Sequence, residues 1–441
     1  MSKKMDKSKS GKRIAVIDGC RVPFQRSGTG YYDVMAWELG RYAVKGLLAK
    51  TGVSPEDIDH VLMGCVASDI ATTNVAREVA LGAGIPKGVP AHTCTIACVS
   101  ANAAFTNGSN LIETGNAEIV VIGGVESFSD VPIKVSKRYR RFILDMTMYH
   151  KPKRFTDTLR HLKGMKFMDF IVPERPAVSE YSTGLLMGQT AEILAKRLGI
   201  TRREQDEFAV LSHQRALRAQ EEGIFRKEII PVVVPGKDKA IIADNGPKKD
   251  TTMDKVVKLK GSFDKKYGSV TAANSSFLTD GGSAVLIMSE EKAKELGLKP
   301  KAFLTSYAYT GQDLVEELLL GPAFSIPAAL GKAGLKLSDI GVFEIHEAFA
   351  SQMIGNVKCL ASKEFARDRL GLDEAVGEID FDKINRYGGS LSLGHPFGAT
   401  GGRLITTCVN RMIDEDQHYG VVAGCGAGAL GNAIIFENAN A

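Results

Sequence analysis

The chain has 441 residues, 44% hydrophobic and 24% charged, with a formal net charge of +5. That length allows one large α/β unit with insertions or about two to three domains, and a chain of this size buries roughly 75% of the surface its unfolded form exposes. The composition is that of a folded globular protein and excludes a disordered or fibrous one, and no run approaches the ~20 apolar residues that span a bilayer.

The chain opens on a basic stretch, Met1 to Arg13, with five lysines and one arginine and no apolar run behind it. Residues 1–12 read as a solvated, disordered tail. It has neither the apolar centre of a secretory signal nor the Arg-rich amphipathic look of a transit peptide, so a cytoplasmic location is expected in preference to the mitochondrial matrix. Seven cysteines without scaffold spacing fit a reducing compartment.

Beyond the tail, apolar strand patterns alternate with longer amphipathic segments, which predicts an α/β fold. Buried strands are expected at 13–18, 118–123, 284–288, 419–424 and 433–436. The chain also repeats itself. Residues 48–58 align without gaps on 330–340, and five of the eleven positions (Leu, Lys, Gly, Asp, Ile) are identical. Each copy reads as a helix end, a turn at glycine, a short helical turn and a strand. In both halves a reactive residue, Cys98 or His395, then opens a small-residue-rich segment followed by an apolar strand ending in glycine. Two facing halves place a shared site at their junction.

A segment of different character, 130–261, separates them. It leaves 13–129 with 262–295 as one half and 296–441 as the other. Between Lys134 and Lys166 it holds eleven Lys/Arg and two Asp, interleaved with Phe, Tyr, Met and Leu. No nucleic-acid motif accompanies that charge, so the anionic partners to expect are coenzyme A phosphates, a lipid surface or an acidic protein face. Met187 to Gly223 reads as two amphipathic helices around Thr201-Arg-Arg-Glu204, a capping sequence, and 231–260 reads as loops.

Four residues carry the chemistry. Cys98 precedes Val99-Ser-Ala-Asn-Ala-Ala-Phe105, a helix start whose free N–H groups are expected to lower the thiol pKa. Cys94 lies four residues earlier, a spacing that fits neither a redox pair nor a zinc knuckle, so no metal is expected. His346 follows the apolar strand Val342-Phe-Glu-Ile345, at the strand end where open α/β sheets place functional groups. His395 sits in Gly388-Gly-Ser-Leu-Ser-Leu-Gly-His-Pro-Phe-Gly-Ala-Thr-Gly401, and Cys425 in Gly424-Cys-Gly-Ala-Gly428. Gly426-Ala-Gly-Ala-Leu-Gly431 matches the dinucleotide fingerprint formally. Only ten residues follow it, too few for that fold, so it reads as a flexible loop presenting Cys425 and backbone N–H donors. Two thiols and two imidazoles suggest nucleophilic chemistry on a carbonyl.

Together and in this order, these motifs resemble the thiolases over nearly the whole chain. Met187-Gly-Gln-Thr-Ala-Glu192 and Thr271-Ala-Ala-Asn-Ser-Ser-Phe-Leu-Thr-Asp-Gly-Gly-Ser283 add to the likeness. His346 stands where shorter thiolases carry Asn, and with the long basic insertion it resembles the thiolase β-subunits of fatty-acid oxidation multienzyme complexes. The resemblance implies a layered α-β-α-β-α fold and CoA-dependent cleavage of 3-oxoacyl-CoA to acetyl-CoA and a shortened acyl-CoA. It implies Cys98 as nucleophile, His395 as its base, Cys425 as proton shuttle and His346 as donor to the enolate oxygen. The N–H groups of Cys98 and Ala427 would hold the acyl oxyanion, and Met187, Ser276 and Phe349 would contact CoA. Leu186 replaces the histidine common before the Met-Gly pair. Coenzyme A enters as co-substrate, with no permanently bound cofactor. A homodimeric core, a hydratase/dehydrogenase α-subunit as partner and an anionic membrane surface are further implications. The rivals are a decarboxylating 3-oxoacyl synthase of the same fold, which has no need of Cys425, and a catalytically silent scaffold subunit, for which four filled reactive positions have no use.

Overall fold

The computed structural model describes residues 11–149, 155–173 and 178–441. The basic tail expected over 1–12 lies outside the described residues except for positions 11 and 12. Ten strands form the framework: β1 (Ile14–Arg21), β2 (Gln25–Arg26), β3 (His60–Gly64), β4 (Ala91–Cys94), β5 (Ile119–Glu126), β6 (Thr279–Ser289), β7 (Ala302–Gly311), β8 (Ile340–Ile345), β9 (Tyr419–Gly426) and β10 (Leu430–Asn438). Their order is β4-β3-β5-β6-β1-β7-β10-β9-β8, with β2 beside β6. The sequence halves meet where β1 pairs β7 at Ala15–Phe303 and Val16–Ala302.

Strand periodicity builds the layers. Ile14 and Val16 of β1 and Val120 and Ile122 of β5 point into a central core. Ala15, Ile17, Ile119 and Val121 point to an outer one. On the other side of the seam Ile434 and Phe436 share the central core, while Ala433 and Ile435 face the opposite outer core. Between the half-sheets lie helices Ser100–Glu113 and Thr400–Asp414, which contribute Phe105, Leu404 and Cys408 to the central core. Helices Ala36–Thr51 and Val75–Ala83 cover one outer face, and Gly321–Ala333 and Ala350–Leu360 cover the other. This is the α-β-α-β-α layering of the thiolase-like class, with strands apolar on both faces because helices cover both.

The repeat read in the sequence is a repeat of backbone. Helices Ala36–Thr51 and Gly321–Ala333 both end at a left-handed glycine, Gly52 and Gly334, each with φ +71° and each donating to a leucine carbonyl, Leu48 or Leu330. A 3₁₀ turn follows in both copies, Pro55–Asp57 and Leu337–Asp339, and then β3 and β8. Within the insertion, Thr201 and Glu204 cap helix Arg202–Glu221 reciprocally, as the sequence indicates.

Candidate active site

Both central helices start at the junction. Gly401 lies so near Asn102 that a Cβ would collide with the Asn102 side chain, and a Cβ on Gly124 would strike the Gly398 carbonyl. The end of β5 and the loop carrying His395 therefore touch backbone to backbone. Cys98 stands two residues before helix Ser100–Glu113, behind Ala97 at φ +42°, a left-handed position for a residue with a side chain. His346 follows β8, its N–H donating to Ala423 O of β9, and Cys425 lies near the end of β9. Residues 274–279 form the brace: Ser276 N donates to Ala348 O, and His395 N donates to Phe277 O.

Cys98 Sγ and one ring nitrogen each of His346 and His395 lie within 4.8 Å of one another. Those three atoms are also, among the described residues, a set of side-chain donors that could hold a soft metal ion. The imidazole rings are 4.0 Å apart between centroids. Cys98, His395, Cys425, Ala427, Met187, Ser276 and Phe349 line one narrow cleft of about 90 Å³, with apolar walls from Phe277, Leu318 and Phe397. His346 stands behind His395, buried, so the cleft brings together every residue picked from the sequence except this one, which it reaches through the imidazole pair.

The polar network assigns the two imidazoles opposite roles. Thr400 Oγ1 donates to Pro396 O at 3.0 Å, so it accepts from His395 Nδ1–H at 2.7 Å, leaving Nε2 as a bare acceptor. Ser390 Oγ accepts from Arg403 at 3.4 Å, and among the described residues its own proton has His346 Nδ1 at 2.9 Å as its acceptor, which assigns His346 an Nε2–H, a donor. Neither Nε2 has a hydrogen-bond partner among the described residues. Burial holds His346 neutral, its pKa brought down to about 3 with help from the Arg403 charge. His395 is pushed well below its ordinary range by burial, then by His346 and Arg403. Arg403 and Arg411 are held by the buried Glu344 carboxylate.

The thiols depart from the sequence expectation. Burial, reinforced by the Glu126 carboxylate, pushes Cys98 up to about 12, and burial also raises Cys425. The helix start is outweighed by burial. A helix terminus contributes ~0.3–1 kcal/mol, under one pKa unit, whereas burial shifts a group by up to ~3–5 units. The N–H groups of Cys98 itself and of Ala427 do point at the sulfur, but they only soften the shift. The glycine-rich segment expected as a flexible loop is a tight hairpin. Gly426 pairs with Leu430 across three residues, with Gly428 at φ +85° and Ala429 at φ +53°, because β9 and β10 stay in register up to the turn.

Several supporting residues were not singled out from the sequence. Glu126 accepts from Val66, Ala67 and Gly398 N–H groups and ties β5 to the His395 loop, while its own pKa rises to about 7 through burial. Thr400 and Ser390 fix the imidazoles, and Glu180 of the insertion accepts from Gly428 N–H at 2.6 Å. Thr400 and Ser390 lie inside the glycine-rich run around His395, which was their available signal. Glu126 and Glu180 had none.

The thiolase N-terminal domain model matches residues 14–291, and the thiolase C-terminal domain model matches 298–438. The human mitochondrial trifunctional enzyme subunit beta is 48% identical, covering 97% of this chain and 88% of its own. The 3-ketoacyl-CoA thiolase of Yersinia enterocolitica is 43% identical over 98% of both chains. Among solved structures, human mitochondrial 3-ketoacyl-CoA thiolase in complex with CoA superposes with a TM-score of 0.81 at 31% identity, covering 97% of this chain and 98% of its own.

Proposed function

This chain belongs to the thiolase family, and we propose that it is a 3-ketoacyl-CoA thiolase, an acyltransferase of fatty-acid β-oxidation that cleaves 3-oxoacyl-CoA with coenzyme A. The observation that carries the reading is the convergence of Cys98 Sγ, a bare His395 Nε2 and a donating His346 Nε2–H beside Cys425.

Resting thiol and imidazole are both neutral, so proton transfer accompanies attack. His395 Nε2 takes the Cys98 proton as Sγ adds to the 3-keto carbon, and the N–H groups of Cys98 and Ala427 receive the oxyanion, a contribution of about 3–4 kcal/mol per donor. Collapse breaks the C2–C3 bond and leaves the acyl group on Cys98. The electron pair goes to the acetyl-CoA enolate, whose oxygen takes the His346 Nε2–H donor while Cys425 returns a proton to carbon. Cys425 then accepts the proton of incoming CoA, whose sulfur displaces the acyl group from Cys98. Met187, Ser276 and Phe349 line the approach and serve as CoA contacts in this reading, and the apolar wall suits an acyl chain. No permanently bound cofactor enters any step.

The two halves, 13–129 with 262–295 and 296–441, each contribute one thiol and one end of the junction, and 130–261 forms the insertion between them. A multi-subunit setting is supported by the likeness to a trifunctional enzyme β-subunit. Within it we assign a homodimeric core, a hydratase/dehydrogenase α-subunit as partner and an anionic membrane surface as contacts of the basic insertion. No helix among the described residues is long and apolar enough to cross a membrane. All seven cysteines are free, which fits a reducing compartment, and the location we assign is cytoplasmic.

The test is the loss of 3-oxoacyl-CoA absorbance on adding CoA, without malonyl-CoA. A thiolase consumes the substrate and releases acetyl-CoA. Turnover only with malonyl-CoA would identify a decarboxylating synthase, and no turnover with any acyl-CoA would identify a scaffold.

A further inference from the structure

The hairpin turn of residues 427–429 carries the Ala427 N–H that points at Cys98, and that turn is held at two places by groups outside its own strands. Gln312 N donates to Ala429 O at 2.9 Å, and Gly428 N donates to a carboxylate oxygen of Glu180 at 2.6 Å. The second contact comes from the insertion, about 250 residues away in sequence by the numbering of the pair. Left-handed backbone at both Gly428 and Ala429 makes the turn a strained one, since alanine there costs roughly 1–2 kcal/mol. Strained backbone persists only where its surroundings over-determine it.

Glu180 is itself fixed. It is 7% exposed, its N–H donates to Leu185 O, its carbonyl accepts from Gly184 N, and Ser179 bridges to Leu186. The short strap so formed places Val178 and Met187 in the cleft wall on either side of the carboxylate. Short, charge-assisted hydrogen bonds of this kind are about twice as strong as neutral ones. The one at Gly428 fixes the peptide plane immediately after Ala427.

We infer that Glu180 is a positioning residue for the oxyanion turn, so that the insertion supplies a structural part of the catalytic site as well as an outer surface. The inference rests on the assignment of the Ala427 N–H as an oxyanion donor. A donor displaced by about 1 Å costs up to ~100-fold in rate, and loss of the carboxylate frees the turn to move by that order.

The test compares E180A, E180D and E180Q in the full-length protein. E180D keeps the charge but shortens the reach by one methylene, and E180Q keeps the reach and an acceptor oxygen. Two half-reactions are read: acylation of Cys98 by a simple acyl-CoA, and exchange of the acetyl-CoA α-protons, which depends on His346 and Cys425. The expected result is at least about a tenfold loss of acylation in E180A and E180D with exchange nearly unchanged, and recovery to within a few-fold in E180Q. Wild-type acylation in E180A and E180D overturns the inference. So does an equal loss of both half-reactions without rescue by glutamine, which marks Glu180 as merely structural. Failure of the wild-type protein itself to acylate on Cys98 overturns the thiolase reading instead, and the two failures are thereby told apart.

Discussion

Helix Thr400–Asp414 buries every residue from Thr400 to Met412, whereas helices Lys137–Leu144 and Phe167–Ile171 bury none. The junction residues are held by strands apolar on both faces, by close backbone contact and by a network in which Glu126, Glu344, Ser390 and Thr400 each have a partner. The short helices of the insertion instead leave Phe167 77% exposed and Met148 and Tyr149 65% exposed. Burying one such side chain is worth ~1.5–3 kcal/mol, so that surface is where we propose that a partner subunit or an anionic membrane docks. The site is held by its own packing, whereas helices Lys137–Leu144 and Phe167–Ile171 present their apolar side chains outward. Glu180 ties the exposed segment's neighbourhood to the oxyanion turn.

The sharpest way to break the comparison is at Cys98. Cys98→Ser is expected to abolish thiolysis, since an alkoxide is far harder to generate than a thiolate, while the thermal unfolding midpoint stays near that of the wild type. A steady-state assay with a 3-oxoacyl-CoA reads the first, and a melting curve the second. Measurable thiolysis would remove Cys98 from the nucleophile role.

His346→Ala should cost about 10²–10³ in cleavage and in acetyl-CoA deprotonation, as expected for one lost oxyanion donor, and far less in acylation of Cys98. Equal losses in both half-reactions would contradict a donor acting only on the enolate.

The same residue sharpens the comparison through acid stability. Its folded-state pKa is about 3, while in the unfolded chain it titrates near ~6.5. Between those values the unfolded state binds the extra proton, so this group costs stability progressively as pH falls from about 6.5 toward 3. His346→Asn removes that liability, and the variant should lose less stability than the wild type between pH 6.5 and 4 in denaturant titrations. Parallel pH dependences would show that the imidazole is not held neutral.

Smallest is the effect expected on catalysis from the insertion. Replacing Lys137, Arg138, Arg140 and Arg141 with glutamine should weaken binding to anionic vesicles or to a partner subunit, at ~1 kcal/mol per surface cation, and flatten its salt dependence. Short-chain thiolysis should stay within about two-fold. A raised KM for CoA with unchanged vesicle and partner binding would identify the segment as a clamp for CoA phosphates.

The parts of the molecule that sequence exposes are those with a local cause. Gly52 and Gly334 mark the repeat because both turns need φ +71°, and Thr201 with Glu204 marks a helix start because the cap is three residues long. Cys98, His346, His395 and Cys425 stand out because each lies at a strand end or beside glycines and small residues. β7 does not, because much of its length is half-exposed and its Tyr and Thr positions break the apolar run. Glu126 and Glu180 do not, because their partners Gly398 and Gly428 are distant in sequence and contribute only an N–H. The thiol pKa is misjudged for a related reason. A helix start is visible locally, but the burial that outweighs it comes from the whole junction.

The account turns on a protonated resting thiol at Cys98 that becomes acylated only when His395 accepts its proton. Mixing the protein with an acyl-CoA, quenching in acid and mapping the peptides by mass spectrometry tests this directly. The wild type should carry one acyl group, on Cys98, and His395→Ala should carry almost none. An adduct confined to Cys94 or Cys425, or undiminished labelling of Cys98 without His395, would contradict it.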